Sequence, residues 1–356
     1  MIFCLCLSQG ASAQATIDWD TYIITHNGQP LIGTPMVTAD PWGNVHVFVS
    51  GWAGSDRPTN VPNATNAILY TYLDDGVWSD PIDILAQTGD SLVIFQVAYN
   101  SSTNQLYVLW QDGRDLKLSY SPLDGASSAW SWQTQTIFTG INFSGTLSAT
   151  DDNVLHVVYD DNARNIWYVN SRDDGLSWSP PVSIYATERS DIALTASRLI
   201  ADHRGTLHLI GTESAEDFGW NQVAVWYARS TDMGKSWTTT DLGRRNDGEK
   251  SLGQPGIGLG IDDQVHVVWN RGAGSPDGRY FRWSADGGQT WSEAAELWPD
   301  TPHIAGGQAG AAFMLLDNAQ VLHLLSAIED TESQQLGLSG GIRYATWMGN
   351  DWSPSI

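Results

Sequence analysis

Short apolar runs broken by single polar residues recur six times along the chain around a near-constant core. The copies are Val45-His46-Val47-Phe48, Leu106-Tyr107-Val108-Leu109, Leu155-His156-Val157-Val158, Leu207-His208-Leu209-Ile210, Val265-His266-Val267-Val268 and Leu322-His323-Leu324-Leu325. Their spacing averages about 55 residues, which marks a repeat architecture rather than a chain of unlike domains. Most copies follow a turn rich in Asp, Asn or Gly, such as Asp40-Pro41-Trp42-Gly43, Asp202-His203-Arg204-Gly205 or Asp317-Asn318, and each turn follows another apolar stretch. Each unit therefore begins as a two-stranded hairpin.

A second motif trails each hairpin at a distance that leaves room for two more strands. Three copies are complete: Ser171-x-Asp173-x-Gly175-x-x-Trp178, Ser230-x-Asp232-x-Gly234-x-x-Trp237 and Ser284-x-Asp286-x-Gly288-x-x-Trp291. Three are degraded, around Asp74-Asp75-Gly76-Val77-Trp78, Asp124-Gly125 with Trp130 and Trp132, and Asp351-Trp352. The Asp accepts backbone N–H groups inside a tight turn, and the Gly supplies a backbone angle that other residues resist. The Trp is expected to bury its ring under the turn and pin the third strand to the fourth.

These motifs resemble those of the Asp-box (BNR) repeat proteins, whose best-known members are the sialidases, over residues 30 to 356. The resemblance implies an all-β fold, a six-bladed β-propeller of four-stranded antiparallel blades, in agreement with the six units counted from the hairpins. Residues 16–356 then form one propeller. The alternating segment Thr16–Thr25 is expected to pair with the last blade and close the ring, covering an exposed edge.

Alternating strand directions sort the connections onto two faces. The boxes occupy one. The other receives the longer, unequal loops 51–67, 212–224, 241–255, 270–279, 297–310 and 327–341, where binding and catalysis are expected. Carboxylates near this face, Asp112, Asp160, Asp161, Glu213 and Glu329, are candidate acid/base groups, because glycoside hydrolysis works with paired carboxylates. Trp52, Trp110, Trp220 and Trp269 are candidate sugar platforms, with Arg57, Arg114, Arg271 and His303 as further ligand-binding candidates. Asp173, Asp232 and Asp286 lie on the opposite face as turn formers. The histidines at the repeated strand position radiate from the axis and cannot converge on a metal, so a buried, hydrogen-bonded role is expected; no metal or cofactor is called for.

The sialidase resemblance implies three arginines for the substrate carboxylate, a Tyr activated by a Glu, and an Asp acid/base. Gly33 stands where the first of those arginines is expected, and Arg198, in Ser197-Arg198-Leu199-Ile200, matches that motif only superficially. No catalytic set transfers residue by residue. Two readings stay open: a module that binds a glycan or a protein through its loop face, and a glycoside hydrolase built on the loop-face carboxylates.

Charge narrows the partners. The 356 residues carry 17 Lys and Arg against 40 Asp and Glu, a formal charge of −23. Such a field argues against nucleic acid, whose phosphates require a basic surface. The apolar run Ile2–Leu7 followed by Ala11-Ser12-Ala13 reads as a secretory signal peptide over residues 1–15, which predicts a secreted or periplasmic protein. Both cysteines, Cys4 and Cys6, fall inside that segment, and no later run is long enough to span a membrane.

Overall fold

The computed structural model describes residues 2–4, 20–22, 25–26, 29–30, 35–52, 66–86, 91–140, 144–150, 152–161, 164–246, 251–271, 279–297, 312–328 and 341–354. The fold is a six-bladed β-propeller of antiparallel sheets whose strands follow one another in chain order. Two compact units divide the chain, residues 1–139 and 140–356.

The first unit carries two blades. Blade 1 comprises Met36–Ala39, Val45–Trp52, Asn66–Asp74 and Ile82–Ala86, with Val77–Trp78 also pairing on its third strand. Blade 2 comprises Leu92–Asn100, Gln105–Asp112, Asp115–Pro122 and Gln133–Thr139. Between them lies a core of Phe48, Ile68, Tyr70, Ile94, Val97, Leu106, Val108, Trp110 and Trp132.

The second unit carries four blades. Blade 3 comprises Gly145–Thr150, Val154–Asp160, Asn165–Ser171 and Val182–Ala186. Blade 4 comprises Ile192–Ala201, Leu207–Ala215, Asn221–Ser230 and Thr238–Arg244. Blade 5 comprises Leu252–Leu259, Val265–Arg271, Arg279–Ser284 and Ala295–Leu297. Blade 6 shows Ala312–Leu316, Leu322–Ile328 and Gly341–Thr346 among the described residues. Separate cores lie between blades 3 and 4, 4 and 5, and 5 and 6. The second strands of blades 4 and 5 thus have a core on each face, which suits their start as apolar runs.

One closure detail differs from the expectation. Of the segment Thr16–Thr25, Asp20–Tyr22 pairs with Ile2–Cys4 in a two-stranded sheet rather than with blade 6. Alternation identifies a strand but leaves its partner open, because any exposed edge offers the same backbone groups.

The recurring histidines are buried, and most join a short polar chain. Nδ1 lies 2.8 Å from the Tyr70 hydroxyl for His46, and 2.6 Å from those of Tyr168, Tyr227 and Tyr344 for His156, His208 and His323. Each tyrosine lies on the third strand, two residues from the position directly opposite the histidine. On the other ring nitrogen, His46, His208 and His323 approach Asp40, Asp202 and Asp317 at 3.5, 3.4 and 3.0 Å. Those aspartates also accept backbone N–H groups of their own turns, as Asp202 does from Arg204 and Thr206. The Asp–His–Tyr chain thus ties the hairpin turn to the third strand; in blades 4 and 6 it gives both ring nitrogens a partner, whereas His46 Nε2 is too far from Asp40 for a hydrogen bond. Blade 5 breaks the pattern, with Phe281 in the tyrosine position and Gly260 in that of the aspartate. His266 packs among Trp283, Trp347 and Trp352, and among the described residues neither ring nitrogen has a hydrogen-bond partner.

The three complete boxes share one hydrogen-bond scheme. Ser171 Oγ donates to Asp173 Oδ1 at 2.8 Å and accepts the N–H of Gly175, and Asp173 accepts the N–H and hydroxyl of Ser177 at 2.9 and 2.5 Å. Ser230, Asp232, Gly234 and Ser236 repeat it, as do Ser284, Asp286, Gly288 and Thr290. Hydrogen bonds from Ser177 and Ser236 lower the pKa values of Asp173 and Asp232, the latter to about 2. The tryptophans do more than clamp their own turns. Trp237 Nε1 donates to Gly234 O, and its ring meets Tyr168 of blade 3 edge-on at 5.5 Å; Trp291 meets Tyr227 of blade 4 at 4.9 Å. The expected pin between third and fourth strands is also a seal against the preceding blade.

Candidate functional site

Among the described residues, blade 4 gathers a concentrated set of polar groups at the loop end. Its second and third strands run past those of blade 3, so the expected loop 212–224 closes to a tight turn between Ala215 and Asn221. Glu213 stands near the end of the second strand, 5% exposed. Arg244, at the end of the fourth strand, grips it with two bonds, Nη1 to Oε2 at 2.8 Å and Nη2 to Oε1 at 3.1 Å. Tyr185, from the fourth strand of blade 3, donates its hydroxyl to Glu213 Oε1, and its ring meets Trp226 edge-on. Asp241 accepts the Arg244 Nε–H at 2.8 Å.

Burial alone would raise the Glu213 pKa, but the bonds from Arg244 and Tyr185 outweigh it and the pKa is lowered. Burial and the bond to Glu213 push Tyr185 up to about 12. The carboxylate is thus fixed in its charged form, suited to positioning and poorly suited to donating a proton. Among the described carboxyl groups with a resolved shift, each moves down. None of these has the raised pKa of a general acid.

Beside this cluster the turn exposes an aromatic edge. Trp220 is 48% exposed and holds a left-handed backbone, φ 61°. Its N–H reaches Ala215 O at 2.8 Å, and the adjoining Gly219 is also left-handed. Such a conformation is unfavourable for a bulky side chain, so the turn carries local strain at this half-exposed ring. Next to it the Arg245 guanidinium lies over the Phe218 ring, 3.8 Å from its centre.

The remaining sequence candidates have different fates. Asp160, Asp161 and Asp112 serve local structure. Asp160 Oδ2 accepts both the N–H and the hydroxyl of Ser144 at 2.6 Å, and that hydroxyl oxygen accepts the Ala196 N–H of blade 4. Asp161 accepts Asn165 and the Trp167 indole, and Asp112 pairs with Lys117 at 2.6 Å. Trp110 and Trp269 are core residues rather than platforms, 2% and 3% exposed. Trp110 donates to Ser119 Oγ and Trp269 stacks on Tyr280. Their strand positions turn them into the gaps between blades, a direction the apolar pattern could not separate from an outward one. Arg114 is exposed in the turn between the second and third strands of blade 2. Trp52 and Arg271 are placed by backbone alone, as strand ends, whereas Arg57, His303 and Glu329 lie outside the described residues.

Sequence reasoning missed Tyr185 because the fourth strands carry no repeated motif. It also passed over Arg343. Burial, and after it the charge of Arg343, lowers the pKa of Arg279 to about 10. The two arginines, on the third strands of blades 5 and 6, are close enough to influence each other. Among the described residues no group of three or more His, Cys, Asp or Glu is set to hold a metal ion.

No known family model matches the chain, and no curated protein does. Solved structures do match. A polysaccharide lyase of family PL25, an ulvan lyase bound to -[GlcA(1-4)Rha3S]-, is 12% identical with a TM-score of 0.66, over 94% of this chain and 86% of the other. NanB, solved with Optactamide, is 11% identical with a TM-score of 0.54, over 89% and 68%. A mutant of the Aleuria aurantia lectin, in complex with α-methyl-L-fucoside, is 14% identical with a TM-score of 0.50, over 90% and 94%. At these identities the likeness is one of fold, and that fold is the β-propeller.

Proposed function

We propose that this protein is an exported Asp-box propeller that recognises a glycan through the loop end of its blades, with blade 4 at the centre of the site. The observation that carries this reading is the exposed, left-handed Trp220 beside the Glu213–Arg244–Tyr185 cluster. A half-exposed indole offers a flat apolar face to a sugar ring, and neighbouring fixed charges set orientation. The saccharide complexes of the similar lyase and lectin support the same reading. Export rests on the apolar Ile2–Leu7 run before Ala11-Ser12-Ala13, and N-terminal sequencing of the protein from its native host tests it.

Binding is tested on a glycan array with the full chain and Trp220→Ala. The reading expects saccharide binding by the parent, reduced at least tenfold in the variant; equal binding by both would remove Trp220 from the site. A second reading, glycoside hydrolysis, is favoured by the Tyr185–Glu213 pair, because the sialidase resemblance implies a Tyr acting with a Glu. Turnover of a panel of 4-methylumbelliferyl glycosides that disappears in both Tyr185→Phe and Glu213→Gln, with glycan binding retained, would establish it.

A further inference from the structure

The degraded box of blade 2 carries two tryptophans where each complete box carries one. Trp132 takes the structural part. It is 8% exposed, donates its indole N–H to Ala126 O at 3.0 Å, and meets Phe48 of blade 1 edge-on at 5.7 Å. Trp130 is left over. It is 98% exposed, whereas Trp178, Trp237 and Trp291 of the complete boxes are partly buried. A large apolar ring held wholly in water contributes no burial to the fold.

The turn that carries this ring is nevertheless well tied. Ser128 N–H donates to Gly125 O at 2.9 Å and Ser131 N–H to Ser128 O at 3.0 Å, which brackets Trp130 in the short 3-10 turn Ala129–Ser131. A Cβ at Gly125 would fall 2.7 Å from Ser131 Oγ, so glycine there lets Ser131 close against the turn. A backbone fixed on both sides of a ring lowers the ordering cost of any contact made through it. The surroundings are of one chemical kind. No Asp, Glu, Lys, Arg or His occurs between Asp124 and Asp151, in a chain with a formal charge of −23. Ser127, Ser128, Gln133 and Thr134, close to Trp130 in sequence, are exposed, and Gln133 Oε1 accepts the Tyr120 hydroxyl at 2.9 Å. This stretch thus offers hydroxyls, an amide and one flat ring to solvent, and no charge.

We propose that Trp130 centres a second binding surface, at the box end of blade 2, for an uncharged polysaccharide. A neutral sugar ring combines an apolar face, which stacks on an indole, with hydroxyls that pair with Ser, Thr and Gln side chains. An acidic or basic polymer finds no counter-charge in this stretch. A protein partner would meet one ring rather than the clustered apolar centre of a stable interface. The surface is independent of the loop-end site, because boxes and long loops occupy opposite ends of a blade.

Native gels cast with soluble polysaccharide test it, since a charge of −23 gives the full chain a strong mobility for retardation to act on. Relative to a non-binding reference protein, hydroxyethyl cellulose, laminarin or galactomannan should slow the parent, and carboxymethyl cellulose should not. Trp130→Ala should weaken the retardation by about tenfold or more, as for a central aromatic anchor, with its thermal midpoint unchanged. Trp130→Tyr should keep part of the response. Trp220→Ala should be slowed like the parent, so the two sites fail separately: a response lost only in Trp130→Ala stands even if the loop end binds no glycan. No retardation of the parent by any of the neutral polymers, or equal retardation of the parent and Trp130→Ala, overturns the proposal. Trp130-dependent retardation of equal size in carboxymethyl cellulose overturns it too. So does a lowered midpoint in Trp130→Ala, which would make the ring structural. A parent dimer in size-exclusion chromatography that Trp130→Ala dissociates would make the surface a self-contact and overturn it as well.

Discussion

The Tyr168 hydroxyl of blade 3 reaches the carbonyl oxygen of Met233, 3.1 Å away in the box turn of blade 4. The next residue, Gly234, lies so close that an added Cβ would fall 1.9 Å from the Tyr168 ring. Gly288 meets Tyr227 in the same way. The box glycine is therefore demanded twice, by its positive φ and by the neighbouring blade. Gly234→Ala and Gly288→Ala should each cost about 2–4 kcal/mol, combining overpacking with left-handed strain. Gly287→Ala, with φ +67° and open space around it, should cost only about 1 kcal/mol. Urea unfolding of the three variants checks the ranking; equal losses would remove the interblade contact from the explanation.

Buried histidines make stability depend on pH in a defined direction. Burial lowers His156 to about 4 and His266 to about 3, below the ordinary value of 6.5. Between these limits the unfolded chain binds the extra protons. Their contribution is present above pH 6.5 and is lost as pH falls toward 4 and then 3, at up to about 1.4 kcal/mol per pH unit for each group. Burial would raise Asp202, but bonds from His208 and Thr206 outweigh it and hold the carboxyl at about 2, so it adds to the loss only below about pH 4. Unfolding free energy measured from pH 8 to 3 should be flat at first and fall below about 6.5. A flat profile to pH 4 would show these rings to be accessible in the folded state.

The two kinds of buried histidine should respond differently to replacement. His208→Leu strands the Tyr227 hydroxyl and one side of Asp202, and should cost about 2–4 kcal/mol. His266→Leu removes a ring that has no hydrogen-bond partner among the described residues and should change stability by about 1 kcal/mol or less while flattening the acid slope. Denaturation curves at pH 7.5 and 5 separate the two effects.

Trp220→Gly provides a stability measurement independent of ligand. The residue holds φ 61° and nearly half of it is exposed, so glycine should be neutral or stabilising by about 1 kcal/mol. Lost glycan binding together with an unchanged or raised thermal midpoint is the expected pair of results; a large fall in the midpoint would make Trp220 a packing residue.

Glu213→Ala should destabilise by about 2 kcal/mol, less than a fully buried pair because Arg244 is half exposed. Glu213→Gln, which retains an acceptor for Tyr185, should lose about half as much. Calorimetric midpoints order the two.

Six units, four-stranded blades and box turns were legible in the chain because each rests on local rules. A histidine two residues inside an apolar run, an Asp and Gly at fixed offsets in a turn, and a period near 55 all survive without knowledge of what packs against them. The buried role of the histidines was equally legible, since equivalent positions in different blades cannot meet.

The site was another matter. Trp110 and Trp269 were indistinguishable in sequence from Trp220, yet two fill gaps between blades and one is half exposed in a strained turn. Tyr185 and Arg244 meet Glu213 from strands with no common motif. Sequence alone determined the repeat, since strand and turn preferences act over a few neighbouring residues. Tertiary structure decided which polar groups are satisfied and which are exposed, because burial and pairing depend on blades brought together from distant parts of the chain.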